Sequence, residues 1–212
     1  MSASDHAGRG LIITVAGPDG SGKTSFCEAL TAGVLRDEDV RRIHHRFARL
    51  PSRGGGTTDT SHPHAQTPYP RGASEAKVLA LFGETLVGML GSARPFARRG
   101  GFLIIERGWW DLAVDPARYR LQPNAGLVRA LGRWLPTSDL LVVLEGPAAL
   151  LATRKDECSE EELARQVGAW RNVVPRRQHT LYLDVSLPLV EVVSLATAEV
   201  LRLAPSLSRR NM

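Results

Sequence analysis

Short apolar runs alternate along this chain with longer stretches in which apolar residues recur every three or four positions. The short runs predict buried strands, because a strand that is covered on both faces needs apolar side chains at every position. The longer stretches predict amphipathic helices with one face on the sheet. Strands are expected at 11–16, 40–47, 102–105, 140–145 and 179–185, and helices at 25–35, 74–90, 92–99, 124–134, 147–154, 159–173 and 188–201.

Capping and breaking residues set several of these boundaries. Asn124 can cap one helix, and Ser159 with Glu162 forms a capping box for another. Prolines and glycines are dense between residues 49 and 72, so a long loop is expected there, and residues after Pro205 are expected to fray. The alternation of strands and helices predicts one α/β domain, residues 1–212, with a doubly wound parallel sheet and a core spanning about 11–203.

A glycine-rich motif lies between the first predicted strand and the first predicted helix. Residues 17–24 read Gly-Pro-Asp-Gly-Ser-Gly-Lys-Thr, the spacing of a phosphate-binding loop. Its glycines let backbone N–H groups point at phosphate oxygens, the helix N-terminus adds partial positive charge, and Lys23 adds a full charge. Thr24 is placed to bind Mg²⁺ through its hydroxyl group. The motif therefore predicts nucleoside triphosphate binding. The expected nucleotide contacts are Gly17, Asp19, Gly20, Ser21, Gly22, Lys23, Thr24 and Ser25.

An acid and a base follow the third predicted strand. In a doubly wound sheet the carboxyl ends of the strands face the ligand, so Glu106 and Arg107 should lie beside the phosphate-binding loop. Glu106 could bind the metal ion or serve as a base for an acceptor hydroxyl group. A purely structural ion pair at the strand end is the alternative.

The segment 109–120 mixes aromatic residues for stacking, carboxylates for hydroxyl groups and arginines for phosphates. Because it follows the same strand end, a substrate crevice is expected beside the phosphate-binding loop. The expected substrate contacts are His44, Arg46, Arg107, Trp109, Asp111 and Arg118.

Two predicted helices meet at a short charged turn, residues 154–160, which we interpret as a lid. Closure of a lid over the triphosphate would bring an arginine to the transferring group and exclude water. A solvated helical hairpin without this role is the alternative.

Composition narrows the class of partner. The net charge is +5, and the basic residues are almost all arginine, which suits phosphate recognition. No compact basic block with interleaved aromatic residues marks a nucleic-acid surface, so a small-molecule phosphoryl acceptor is expected instead of nucleic acid. Cys27 and Cys158 form no disulfide framework, and no run approaches the ~20 apolar residues of a membrane helix. A cytoplasmic protein without a membrane partner is expected, and a homodimer is left open.

These motifs resemble those of thymidylate-kinase-like proteins, within the P-loop nucleoside monophosphate kinases. The phosphate-binding loop with aspartate at position 19 looks like that family's form, as does the pair Glu106-Arg107, where the family usually has Asp-Arg followed by an aromatic residue. Leu144-Glu145-Gly146-Pro147 is similar to the family's Leu-Asp-x-x-Pro, and Arg154 matches the lid arginine after it. The resemblance covers about residues 11–203.

The resemblance implies a three-layer α/β/α fold with a five-stranded parallel sheet in the order 2-3-1-4-5 and a helical lid. It implies ATP and Mg²⁺ as cofactors. Asp19 would face the acceptor, Arg107 would hold an acceptor phosphate, and Arg154 would bind ATP and act on the transferring phosphoryl group. The implied catalytic residues are Asp19, Lys23, Glu106, Arg107 and Arg154, with Thr24 and Glu106 as metal ligands.

The substrate motifs depart from those of thymidylate kinases, which carry Glu-Pro-Gly-Gly-Thr after the second strand where residues 44–49 here read His-His-Arg-Phe-Ala-Arg. The family's serine-containing segment after Asp-Arg-Tyr is replaced by Trp109-Trp110-Asp111 and by residues 115–120, Asp-Pro-Ala-Arg-Tyr-Arg. The chain therefore resembles a divergent branch of the family. We expect a kinase that moves the γ-phosphoryl group of ATP to a nucleotide. The alternatives are a kinase of a non-nucleotide alcohol, such as a sugar, polysaccharide or natural-product intermediate, and a slow ATP-binding switch or scaffold.

Overall fold

Five parallel strands form the centre of the protein. The computed structural model describes residues 8–44, 67–122, 124–154 and 158–210. The strands are β1 (Ile12–Ala16), β2 (Val40–His44), β3 (Phe102–Glu106), β4 (Leu140–Glu145) and β5 (Thr180–Asp184). They are arranged in the order β2-β3-β1-β4-β5, with every neighbouring pair parallel. The expected sheet order is therefore confirmed.

Burial separates the central strands from the edges. Every residue of β1 and β3 is buried, and so is every residue of β4 except the last. In β2, Val40 and Ile43 are half-buried while Arg41, Arg42 and His44 are exposed. Charged residues on an edge strand discourage pairing with another chain, which explains why this strand has little apolar content.

Helices cover both faces of the sheet. Ile13 and Val142 face α1 (Lys23–Ala32), α6 (Ala148–Arg154), α8 (Leu189–Leu203) and α9 (Pro205–Arg210). The alternate positions of the strands, among them Ile105 and Val143, face the second layer. That layer contains α2 (Arg71–Gly88), α3 (Arg94–Arg98), α4 (Asp111–Val114) and α5 (Ala125–Gly132), while α7 (Glu160–Val173) contributes to the core on both sides. The three-layer architecture is thus also as expected.

One long helical run crosses the second layer. A π-helical turn, Met89–Ala93, joins α2 to α3 without interrupting the helix, and Met89, Ala93 and Phe96 are buried. The run Arg71–Arg98 is long and apolar enough to cross a membrane by length and composition only, and core helices of soluble proteins also meet these two criteria. Its outward side exposes Leu79 and Val87, at 53% and 71%.

Several element boundaries differ from those expected. The helix expected from residue 74 begins at Arg71, so the last two residues assigned to the long loop are helical, and residues 49–66 of that loop lie outside the described residues. The Asn124 and Ser159 side chains cap α5 and α7 as expected. Contrary to the expectation that the residues after Pro205 fray, Pro205–Arg210 form α9, which places Leu207 in the core with 3% exposure.

Candidate active site

The loop between β1 and α1 has the backbone of a phosphate cradle. Gly20 and Gly22 have φ angles of 78° and 76°, a region that L side chains rarely adopt. A Cβ atom on Gly20 would also lie 2.6 Å from the carbonyl oxygen of Leu151. No side chain among the described residues caps α1, so the N–H groups of its first turn remain available to phosphate oxygens.

Lys23, the first residue of α1, folds its side chain back into this loop. Its Nζ donates to the carbonyl oxygens of Gly17 at 2.9 Å and Pro18 at 2.6 Å, and to the Ser21 hydroxyl group at 3.3 Å. Burial and, to a smaller extent, the nearby positive charge of Arg107 lower the pKa of Lys23 to about 7. The amine can therefore exchange loop carbonyl oxygens for phosphate oxygens when a triphosphate binds.

Glu106 ends β3 beside the start of α1, within a group that we call the glutamate corner: Thr24, Arg42, His44 and Glu106. Thr24 Oγ1 donates to Oε2 of Glu106 at 3.3 Å, and Arg42 Nη2 donates to Oε1. The strand register pairs His44 with Glu106 and places His44 Nδ1 3.8 Å from Oε2. Burial lowers the pKa of His44 and favours its neutral form.

The chemical types of the donor atoms in the glutamate corner suit Mg²⁺. A hydroxyl group and a carboxylate supply the oxygen ligands that Mg²⁺ prefers. The described residues contain no group of three or more His, Cys, Asp or Glu that could hold a metal ion. Mg²⁺ held by Thr24 and Glu106 would therefore take its remaining ligands from phosphate oxygens and water, as is usual in kinases.

A second group, the arginine cluster, lies on the other side of the loop and consists of Asp19, Arg107, Asp111 and Arg118. Arg107 donates to Oδ1 of Asp19, and Arg118 donates to Oδ2. The side chains of Asp19, Arg107 and Arg118 are only 5%, 6% and 17% exposed. The two guanidinium groups therefore meet at one carboxylate inside the protein.

Arg107 is strained and incompletely satisfied. Its φ angle of 62° is unusual for a residue with a Cβ atom, and its Nε is buried without a hydrogen-bond partner among the described residues. Burial opposes its charge, but Asp111, Tyr119 and Asp19 together raise the pKa of Arg107 above its ordinary value. Backbone strain and an unused buried donor are typical of functional positions.

Asp111, four residues after Arg107, lies next to the Arg107 guanidinium group. Its Oδ2 accepts from the backbone N–H of Gly108 at 2.8 Å, and its Oδ1 lies 3.7 Å from Arg107 Nη1. Burial raises the pKa of Asp111 to about 6, although Arg107 lowers it. The arginine cluster thus contains both signs of charge, so an incoming anion must share the arginines with these carboxylates or displace one of them.

Trp109 packs in the core instead of projecting from the segment 109–120. It is 8% exposed, its Nε1 donates to the carbonyl oxygen of Val128 at 2.9 Å, and its ring meets that of Phe82 edge to face. It also forms one wall of a mainly apolar pocket of about 60 Å³ that includes Thr14 and Met89. These contacts give the ring a structural role.

A larger pocket, of about 220 Å³, opens beside the phosphate-binding loop at the end of α6. Arg154 lines it together with Ser21, Ser25 and Leu187. The Arg154 Nη2 donates to the carbonyl oxygen of Val185 at 3.2 Å, which holds the guanidinium group next to the end of β5. The pocket combines an apolar wall, a planar cation and the start of α1.

The predicted lid is only partly within the described residues, which omit 155–157. Two arginines of α7 are engaged in other contacts: Arg165 donates to Glu162 and to the carbonyl oxygen of Val114, and Arg171 donates to Glu145. Arg154 is therefore the best placed of these three arginines for contact with a nucleotide.

Arg42 belongs to the glutamate corner but was not among the predicted site residues. A signal was present, because Arg42 precedes His44 by two positions and so lies on the same side of β2. Arg46, also predicted as a substrate contact, lies outside the described residues. Trp109 lies in the core, as described above. The remaining predicted residues lie at the loop (Gly17, Asp19, Gly20, Ser21, Gly22, Lys23, Thr24, Ser25), the glutamate corner (His44, Glu106), the arginine cluster (Arg107, Asp111, Arg118) or the pocket at Arg154.

Comparison with known proteins supports the fold. No family model matches the sequence, and no curated protein sequence matches it. Among solved structures, the thymidylate kinase of Candida albicans superposes with a TM-score of 0.62 at 15% identity, and the alignment covers 92% of each chain. That structure is described as revealing the origin of broad substrate specificity and a novel structural element. The chain therefore has the fold of a P-loop kinase of the thymidylate kinase type.

Proposed function

We propose that this protein is a kinase that transfers the γ-phosphoryl group of ATP to a nucleotide acceptor, with Mg²⁺. The observation that carries the proposal is the arginine cluster, which holds the buried guanidinium group of Arg107 and the partly buried one of Arg118 directly against the phosphate-binding loop through Asp19. Transfer between two phosphates requires adjacent binding sites for both of them. The loop supplies the first site, and Arg107 and Arg118 supply the second.

On the donor side, three features support ATP. The free N–H groups at the start of α1 and the Lys23 amine suit the β and γ phosphates. The 220 Å³ pocket suits the base, because the planar guanidinium of Arg154 can stack on it. Mg²⁺ bound to Thr24 and Glu106 would neutralise charge between the β and γ phosphates.

On the acceptor side, the buried Nε of Arg107, which has no partner in the described part of the chain, favours a phosphate group. A guanidinium offers two parallel N–H groups to a phosphate, and a buried donor without a partner is costly until a ligand satisfies it. An acceptor phosphate would replace Asp19 as the hydrogen-bond partner of Arg107, of Arg118 or of both. The released Asp19 carboxylate would then face the acceptor.

The state of Glu106 favours a phosphate acceptor over an alcohol. A phosphate oxygen is already ionised at neutral pH, so its transfer needs positioning and charge neutralisation more than a base. An alcohol needs a base to accept its proton. Both oxygens of Glu106 are engaged, one by Arg42 and one by Thr24, so neither is free for this task.

The test is transfer from ATP labelled in the γ-phosphate to nucleoside monophosphates, nucleosides and sugars. We expect a nucleoside monophosphate to be the best acceptor. Arg107→Lys keeps the charge but loses the planar fork, so it should raise the acceptor KM about tenfold or more while leaving ATP affinity unchanged. Arg36→Lys is the matched control, because Arg36 is exposed and pairs with Asp37 away from the site.

Three results would contradict the proposal. Wild-type turnover by Lys23→Ala would refute the donor site, since removal of one electrostatic stabiliser should reduce kcat by about 10²-fold or more. Transfer only to alcohols, with a pH-dependent rate that Glu106→Gln flattens, would instead establish an alcohol kinase. ATP binding without transfer to any acceptor would establish the switch or scaffold.

A further inference from the structure

Glu106 is paired with a cationic side chain of the same protein, Arg42. Arg42 Nη2 donates to Oε1 of Glu106, while Oε2 faces the Thr24 hydroxyl group. The Glu106 side chain is 9% exposed and that of Arg42 is 30% exposed. A mostly buried carboxylate thus has its charge compensated by an arginine that reaches in from the edge strand.

Arg42 also has a second carboxylate within reach. Its Nη1 lies 3.9 Å from Oε1 of Glu28, which is on α1 with a side chain that is 64% exposed. The guanidinium group therefore lies between a buried carboxylate and an exposed one. A small rotation toward Glu28 would vacate Oε1 of Glu106 without leaving the arginine unpaired.

We propose that Arg42 is a counter-cation that occupies Glu106 in the absence of nucleotide and moves to Glu28 when a divalent ion enters with ATP. The inference rests on the proposed function, in which Thr24 and Glu106 hold the ion. Two cations cannot share one carboxylate without mutual repulsion, so Arg42 lowers the affinity of Glu106 for a free divalent ion. The triphosphate supplies the additional oxygens that allow the ion to displace Arg42.

The consequence is an order of binding. Without nucleotide, the glutamate corner binds a free divalent ion only weakly, because Arg42 neutralises its single carboxylate. With nucleotide, the ion enters already held by phosphate oxygens. The exchange also keeps the charge balanced, since Arg42 gains Glu28 as it leaves Glu106.

The test is a titration of Mn²⁺, followed by the electron paramagnetic resonance signal of the free ion, on nucleotide-free protein. Arg42→Met removes the charge but keeps the length of the side chain. We expect Arg42→Met to bind Mn²⁺ about tenfold or more tightly than the wild type, within the usual range of coupling between two ligands of one site. Arg36→Met should leave the affinity unchanged, and adding Glu106→Gln to Arg42→Met should abolish the gain.

Equal affinity of the wild type and a folded Arg42→Met protein for Mn²⁺ would overturn the inference. Weaker binding by Arg42→Met would also overturn it, because Arg42 would then support the ion instead of competing with it. If Arg42→Met does not fold, Glu28→Gln serves as the second variant. By removing the alternative partner of Arg42, it should weaken Mn²⁺–ATP binding about two- to fivefold, as expected for a partly exposed ion pair, and an unchanged affinity would exclude the exchange.

Binding of Mn²⁺–ATP by the wild type separates this inference from the proposed function. If the wild-type protein binds Mn²⁺–ATP at Glu106 but Arg42→Met leaves binding of free Mn²⁺ unaltered, only the role of Arg42 is refuted. If the Glu106→Gln variant binds Mn²⁺–ATP as tightly as the wild type does, the proposed metal site itself is wrong.

Discussion

ATP binding should be coupled to the uptake of a proton by Lys23. The buried amine has a pKa of about 7 without nucleotide, so about half of the molecules carry a neutral Lys23 at pH 7 and about nine-tenths do at pH 8. The negative charges of a bound triphosphate favour the charged amine and raise its pKa well above this range. Binding at pH 8 should therefore take up about 0.9 proton, and binding at pH 7 about 0.5.

The same shift predicts how affinity depends on pH. Above pH 8 each further unit should weaken binding about tenfold, or by about 1.4 kcal/mol, because an amine that is already neutral must be protonated first. Titration calorimetry with a non-hydrolysable ATP analogue and Mg²⁺, in buffers with different heats of ionisation, gives the number of protons directly. The range from pH 7 to 9 avoids Asp111, whose pKa of about 6 leaves it mostly ionised there.

Lys23→Arg is the matched control, because a guanidinium group keeps the positive charge but does not titrate below pH 12. This variant should take up no proton at position 23 when the nucleotide binds. Its affinity for the nucleotide should not decline steeply above pH 8. Equal proton uptake by the variant and the wild type would refute the reasoning, since the proton would then go to another group. Uptake near zero in the wild type at pH 8 would show that the amine is charged before nucleotide binds.

Three further predictions concern packing and assembly. Leu207→Ala should lower the free energy of unfolding in urea by about 2–4 kcal/mol, because Leu207 is buried, and no loss would mean that α9 does not pack on the core. Ser159→Ala should lower the free energy of unfolding by about 1 kcal/mol, because it removes the cap of α7. Ser92→Ala should change that free energy little, because Ser92 lies on the exposed side of the π-helical turn. We also propose a homodimer through the outward side of α2, where Leu79 and Val87 are exposed. Val87→Glu should then abolish association, as measured by sedimentation velocity. A monomeric wild type in the same measurement would exclude the homodimer.

Local patterns explain which parts of the fold could be predicted. The glycine motif fixed the phosphate-binding loop because its spacing and its flanking elements are adjacent in sequence. The central strands were clear because burial on both faces requires continuous apolar runs. The segment Pro205–Arg210 was wrongly expected to fray, since nothing local shows that Leu207 reaches the core formed by α8 and β5.

Contacts between distant strands explain what could not be predicted. Arg42 contacts Glu106 only because β2 lies next to β3 in one particular register, and neighbouring strands in this sheet are far apart in sequence. In the same way, Asp19 and Arg118 were both expected near the substrate crevice, but the direct contact between them was not, because 99 positions separate them along the chain. The packing of Trp109 against α2 and α5 could not be predicted either, because it depends on how those helices cross.

The π-helical turn Met89–Ala93 makes this part of the chain sensitive to insertions and deletions. Each residue of a helix advances it by about 100°, so the loss of one residue from the turn would rotate α3 relative to α2 by that angle. Phe96, buried under the guanidinium group of Arg41 at 4.2 Å, would turn away from the sheet just before β3 begins. Exposed positions such as Gly91 and Ser92 should accept other residues, whereas the number of residues between α2 and β3 should not change.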